Sequence, residues 1–498
     1  MERKNLFVTV LLAAGLVFVA LVSACPAADE GGSKVTGIAL EKKTLLLTVG
    51  EKEKLAYTVT PPESSGAEVT WESSAPAVVS VSPDGTVTAV GFGSGGAETD
   101  PAAATGTAVI TVTTVNGNFQ DTVTVNTTIA ARVDILALPP LKDQFGRYFM
   151  VGNIFNPGDI SGSSISNTRL TRHFNALTHE NNMKPVSLSS GYNAATNTHL
   201  RNQSGFTTAG NMVDAAIAAD IKVVGHALLW HNQIPLWQQN MANETKETAL
   251  KAMKAYISDV VTYFQGKIYS WDVLNEAFPD NAGSAADWKN AIRKGASGEG
   301  QGANPWYVAI GSDFVYEGFL AARLADPGAI LYYNDYNTDN STRARLIYDM
   351  VAEVNAKYKA DFPAADHSGN GTRLLIEGIG MQEHHNTGVQ AANIKAALDR
   401  FKPLGVIIAV TELDVLAQSS YSQFVGGAAV TNQMLLNQAN MYGQYFRLYL
   451  DYSDIIERVT MWGVIDSQSW RSGGKPLLFD ASGKAKPAYY KAAGALDL

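Results

Sequence analysis

Lys267-Ile268-Tyr269-Ser270-Trp271-Asp272-Val273-Leu274-Asn275-Glu276 is a β-type run that ends on an amide and a carboxylate, and a loop rich in Pro, Asp, Asn and Gly follows it. The same design returns at Val406-Ile407-Ile408-Ala409-Val410-Thr411-Glu412-Leu413-Asp414. A carboxylate at the end of a buried strand is costly unless it is paired or put to use. The fold therefore turns on whether these strands belong to one sheet with their polar ends on one side.

Working outward from the pair, six more apolar strand-like runs appear, at Phe149–Ile154, Ala176–Leu177, Lys222–Ala227, Ile330–Tyr333, Leu374–Gly378 and Val459–Gly463. Helix-period segments lie between them, among them Gly210–Ala219, Lys246–Phe264, Asp313–Ala325, Ser341–Lys359, Gln390–Phe401 and Gln433–Asp451. Eight alternations predict one (β/α)8 TIM barrel with long loops. A doubly wound open sheet is the alternative. It is weakened because polar residues follow nearly every strand, as a barrel site requires.

The residues after the strands form one inventory. Glu180, Asn181 and Lys184 follow the second, and His226, Trp230, His231 and Gln233 lie at the end of the third. Asn275 and Glu276 close the fourth; Asn334, Asp335, Tyr336 and Asn337 the fifth. Gln382, His384 and His385 follow the sixth, Glu412 and Asp414 the seventh, and Trp462, Asp466 and Trp470 the eighth. Amides, imidazoles and Lys hydrogen-bond hydroxyls, and indole faces stack on sugar C–H surfaces. Two carboxylates on different strands are what acid/base and nucleophilic work on a glycosidic bond needs. Metal chemistry is the rival, but His226 and His231 are five apart, and His384 and His385, adjacent on an extended chain, point to opposite sides. Nothing here calls for a cofactor or a metal.

These motifs, in this order from the second strand to the eighth, resemble glycoside hydrolase family 10, the retaining endo-1,4-β-xylanases, over about Ile135 to the C-terminus. The resemblance implies Glu276 as general acid/base and Glu412 as nucleophile, with Glu276 starting protonated and Glu412 ionised. It implies that His384 orients the nucleophile and that Asn275 contacts the 2-hydroxyl beside the cleaved bond. Glu180, Asn181, Lys184, His226, Trp230, Gln233 and Gln382 match glycone-side contacts. Trp462 and Trp470 match indoles that wall the sugar to be cleaved, and Tyr336 an aromatic on the leaving-group side. Asp335 and His231 are expected behind these groups, and Asp414 is expected to start the loop after Glu412. The expected partners are β-1,4-xylan and xylo-oligosaccharides. A β-1,4-glucanase of the same family and a non-catalytic polysaccharide-binding protein are the other readings. One departure from the family is the long Gly-, Ala- and Ser-rich loop from Pro279 to Asn304, read either as a contact to the leaving-group side or as an insertion with none.

Ahead of the barrel, Val35 to Asn126 is all-β in texture, with short runs at Val35–Leu40, Leu45–Val49, Lys54–Val59, Val69–Glu72, Val78–Val81, Thr86–Val90, Ala108–Thr113 and Thr122–Val125. The pieces Val69-Thr70-Trp71-Glu72-Ser73-Ser74, Val78-Val79-Ser80-Val81 and Asp84-Gly85-Thr86-Val87-Thr88-Ala89 resemble a bacterial immunoglobulin-like domain of group 2. Such a sandwich is a spacer or adhesive unit, and Trp71 is read as part of its core. Gly91 to Gly96 fits G-x-G-x-x-G but lacks the strand–helix setting, so it reads as a loop. Arg3 and Lys4, the apolar run Leu6–Val22 and Val22-Ser23-Ala24-Cys25 resemble a bacterial lipoprotein signal, which implies lipidation of Cys25, the single cysteine. An ordinary cleaved signal is the alternative. The expected layout is a signal over 1–24, a tether over 25–34, an immunoglobulin-like sandwich over 35–130 and the catalytic barrel over 131–498. The protein is thus expected to be exported and held at the bacterial cell envelope by lipid, as a monomer. A net charge of −9 over 498 residues argues against nucleic acid as a partner.

Overall fold

A computed structural model describes residues 34–90, 106–128, 132–280, 286–295, 302–363 and 373–497. Cys25, the signal, the tether up to residue 33, and the Gly91–Gly96 stretch lie outside these residues.

The all-β part forms because valine and threonine alternate along its strands, placing every second side chain inside. Gly106–Thr114 shows this most plainly: Ala108, Ile110 and Val112 are buried, and the residues between them face outward or sit half-covered. This strand pairs antiparallel with Gln120–Thr128 and with Val69–Ser73, and Thr44–Thr48 runs parallel to Gln120–Thr128. A three-stranded sheet of Lys52–Lys54, Thr86–Ala89 and Val79–Val81 and a pair of Gly37–Leu40 with Tyr57–Thr60 complete it. The expected strand Lys54–Val59 is two strands. The chain leaves one sheet at Lys54, buries Leu55 at the corner and joins a different strand at Tyr57. Trp71 is half-buried against the sandwich core, edge-on to Tyr57. Gly85 turns beneath it at φ +84°, where a Cβ would lie 2.7 Å from the indole.

The second part is a closed barrel of eight parallel strands. They are β1 Met150–Phe155, β2 Ala176–His179, β3 Lys222–Leu229, β4 Ser270–Asn275, β5 Ile330–Asp335, β6 Gly378–Met381, β7 Ile407–Leu416 and β8 Ile456–Met461. Each pairs with the next, and β8 pairs with β1, so no edge is left open. Most helices fall near where the periodicity placed them, Asp313–Ala325 at the same bounds and Lys246–Tyr263, Ala391–Phe401 and Asn432–Asp451 within a residue of theirs, whereas the helix expected over Gly210–Ala219 begins seven residues earlier and spans Gln203–Ala218. β6 is displaced, because Leu374–Glu377 is not strand. Asn355, on the helix Ser341–Asp361, donates to the Ile376 carbonyl at 2.9 Å and accepts from its N–H at 2.8 Å, so a side chain takes the place of a ladder partner. A hairpin of Ser189–Asn193 and Thr198–Arg201, not expected from the pattern, follows β2. β7 is longer than expected and carries both Glu412 and Asp414, so Asp414 lies in the strand and does not begin the loop.

Candidate active site

Glu412 and Glu276 end up in one polar network because β4, β5, β6 and β7 are neighbours in the closed sheet. Asn334, on β5, donates from one Nδ2 to Glu412 Oε1 at 2.9 Å and to Asn275 Oδ1 at 3.0 Å. Gln382, after β6, donates from its Nε2 to Asn275 Oδ1 at 3.2 Å and to Glu276 Oε1 at 3.0 Å. Three buried side chains, Asn334, Asn275 and Gln382, thus join the two carboxylates. Thr411 Oγ1 donates to Asn334 Oδ1 at 2.6 Å and fixes which way the amide faces. The amide has room only because residue 380 is glycine: a Cβ there would stand 2.3 Å from Asn334 Oδ1.

Glu412 is held from its other side by His384 Nε2, 3.1 Å from Oε2. Burial by itself would push the Glu412 carboxyl up. The bonds from His384 and Asn334, with the nearby imidazole charges, outweigh this and hold it below the ordinary value. Burial likewise disfavours a charged His384, yet the Asp414 and Glu412 carboxylates raise it to about 9, so it is an imidazolium at neutral pH. Asp414 Oδ2 lies 3.0 Å from His384 Nδ1, off the direction of a hydrogen bond, and accepts from Trp470 Nε1 at 3.0 Å. Arg471 donates to its other oxygen.

Glu276 is 9% exposed. It accepts from Trp230 Nε1 at 2.9 Å and more loosely from Asn275 Nδ2 at 3.3 Å, and His231 Nε2 is 4.0 Å away. Its backbone is left-handed, φ +54°, a conformation disfavoured for a side chain of this kind. Its N–H donates to the Asn334 carbonyl and its carbonyl accepts from Arg293 Nε, which pins the turn. Arg293 is fully buried. It comes from the loop read as a contact or an insertion, so the described part of that loop is anchored beneath Glu276. Residues 281–285 and 296–301 of the same loop lie outside the described residues.

The other expected site residues gather round this pair. Lys184 donates to Gln233 Oε1 at 2.7 Å and to Asn181 Oδ1 at 3.1 Å, and its ammonium stands 5.1 Å from the centre of the Trp230 ring. Burial lowers its pKa against the pull of Glu412, Glu180 and Glu276. Glu180 accepts from Asn156. His226 pairs with Asp272 at 2.9 Å and stands edge-on to Trp462, which also meets His384 edge-on. Trp462 is buried and Trp470 is 58% exposed at the rim. Tyr336 stands apart, between Arg293, Asp280 and the guanidinium of Arg343. Asp335, behind it, is pushed up to about 6 by burial even though Arg343 opposes this at 2.8 Å.

Asn334, Asp414, Arg471, Asp272 and Arg293 belong to this constellation without having been assigned a place in it. Asn334 stood among the strand-end residues, and its position one residue before the end of β5 was the available signal. Arg471 and Arg293 lie in loops and gave none. Among the described residues no group of three or more His, Cys, Asp or Glu side chains is arranged to hold a metal ion.

Residues 140–495 match the model of glycosyl hydrolase family 10, and residues 34–98 match the bacterial Ig-like domain, group 2. An endo-1,4-beta-xylanase of Geobacillus stearothermophilus is 33% identical over 372 residues, 71% of this chain and 98% of that one. Endo-1,4-beta-xylanase A of Thermotoga maritima is 34% identical over 366 residues, 71% of this chain but 30% of that longer protein. The crystal structure of a bacterial Ig-like domain containing GH10 xylanase from termite gut superimposes with a TM-score of 0.72 at 49% identity, covering 91% of this chain and 98% of that one.

Proposed function

The chain belongs to glycosyl hydrolase family 10 and hydrolyses xylan, and from that premise we propose an endo-acting, retaining double displacement carried by Glu276 and Glu412. The observation that supports the assignment is the network Glu276–Gln382–Asn275–Asn334–Glu412, which gives the two carboxylates different neighbours. Glu412 faces a charged imidazolium and an amide donor, so it is kept ionised and aimed as a nucleophile. Glu276 protonates the leaving oxygen while Glu412 attacks the anomeric carbon and the glycosidic bond breaks. Glu276, now a carboxylate, takes a proton from water as that water displaces Glu412 from the sugar. Asn275 lies between the two and is assigned the 2-hydroxyl. His384 holds the nucleophile, and Lys184, Asn181, Gln233, Glu180, His226, Trp230 and Gln382 are assigned to glycone hydroxyls. Trp462 and Trp470 are assigned as walls of the reacting sugar, and Tyr336 to the leaving-group side.

The test is product release by the full chain from glucuronoxylan, with cellulose and mixed-linkage glucan in parallel. Xylo-oligosaccharides from the unaltered protein and almost none from Glu276→Ala or Glu412→Ala are expected. Equal activity on cellulose would move the reading to a glucanase. The anomer formed first, followed by NMR, should keep the β configuration, and inversion would remove Glu412 from the nucleophile's role.

Anchoring at the cell envelope is proposed on the Val22-Ser23-Ala24-Cys25 sequence alone. A Cys25→Ser protein should leave the membrane fraction, and its retention there would end that proposal.

A further inference from the structure

A short helix, Tyr421–Val425, follows β7, capped by Ser420 and carrying Ser422 and Gln423 as its polar side chains. Its outer face leaves large apolar groups in water: Tyr421 is 55% exposed and Val425 62%. Trp470, on the loop after β8, is exposed to the same degree. Single exposed apolar side chains are ordinary, whereas several at one spot mark a binding surface. Arg471 makes them one spot. Its guanidinium carbon lies 6.0 Å from the centre of the Tyr421 ring, 5.9 Å from Phe424 and 5.6 Å from Trp470. The Tyr421 and Phe424 rings are 5.8 Å apart. Arg471 is only 4% exposed and is anchored to Asp414, and its Nε finds no hydrogen-bond partner among the described residues. The rings are therefore fixed from beneath by a buried ion pair, with Tyr421 and Trp470 exposed and Phe424 half-buried. Rigid, uncovered aromatic faces lose little entropy when a flat apolar surface settles on them.

We propose that Tyr421, with Phe424, forms a sugar platform next to Trp470 and beyond the groups placed at the bond to be cleaved, and that it takes one further sugar ring of xylan. The ring belongs either to the main chain or to a branch. The occupant is a carbohydrate for two reasons. The surface mixes aromatic faces with hydroxyl and amide side chains, and it is continuous through Trp470 with the cleft. This inference rests on the xylan reading of that cleft.

The experiment compares kcat/KM of the full chain and its Tyr421→Ala variant on a chromogenic xylobioside, linear xylohexaose and glucuronoxylan. Tyr421→Phe serves as the conservative variant. Tyr148→Ala, an exposed tyrosine just ahead of β1, serves as the remote control. For Tyr421→Ala the ratio of kcat/KM on glucuronoxylan to that on the xylobioside should fall about tenfold, and Tyr421→Phe should restore most of it. A matching fall on xylohexaose assigns the platform to the main chain, and a fall confined to glucuronoxylan assigns it to a branch. An unchanged ratio overturns the inference. So does an equal loss on all three substrates, since the ring would then act through Arg471 and Asp414 on the nucleophile. Unaltered protein inert on every substrate would instead overturn the xylanase reading, an outcome separate from a variant that matches an active parent.

Discussion

Asn334 shows what one side chain does here. One amide nitrogen serves the proposed nucleophile and the amide beside the proposed acid, so removing it loosens both carboxylates at once. A hydrogen bond to a charged group contributes about 1.5–3 kcal/mol. Asn334→Ala should therefore lower kcat about 10- to 100-fold with little change in KM, and steady-state kinetics on xylohexaose would show it. A rise in KM at unchanged kcat would place Asn334 in binding instead. His384 makes a pH prediction with a definite sign. Its folded value of about 9 lies above the ordinary 6.5. Its contribution to stability is thus fully present below about pH 6.5 and is lost as pH rises through about 9. Tm measured across that window should fall more steeply for the unaltered protein than for His384→Gln. Equal slopes would show that the imidazolium is not what the fold stabilises. The two carboxylates and His384 were readable as residues because each follows an apolar run. The geometry that distinguishes them was not, because it depends on side chains from β5 and from the loop after β8 that are remote in sequence.

At the scale of elements, hydrophobic periodicity found the helices and most strands, and it failed where a side chain replaced the backbone ladder. Leu374, Leu375 and Ile376 are apolar, the last two buried, and look like strand, yet the backbone of Ile376 is bonded by Asn355. Sequence pattern reports burial and cannot report which partner satisfies the buried N–H and C=O. Asn355→Ala leaves both groups buried without their partner, at a cost of about 2–4 kcal/mol. The expected result is a lower denaturant midpoint with near-normal kcat at 25 °C, because Asn355 touches none of the groups around Glu276 or Glu412. A loss of kcat at full stability would contradict this. The same limit explains β7. Glu412 and Asp414 are two apart on one strand and share a face, and the strand runs on where the charged residues suggested a loop because the segment His384–Asn386 pairs parallel with Asp414–Leu416.

At the scale of the whole molecule, the buried apolar residues form two separate clusters, one inside the sandwich around Val87, Ile110 and Val123, the other running through the barrel and its helices. Cooperative unfolding follows a shared core, and two cores that do not merge predict two transitions. Ile110 is fully buried in the smaller cluster and far in sequence from every group that bonds either carboxylate. Ile110→Ala should cost the sandwich about 2–5 kcal/mol. In calorimetry of the full chain this should shift one transition downward and leave the other in place. Xylan hydrolysis measured below the lower transition should not change, since the sandwich contributes no side chain to the network between Glu276 and Glu412. If both transitions moved together, the two cores would be energetically coupled, and the sandwich would then be a structural support of the barrel and not an independent module.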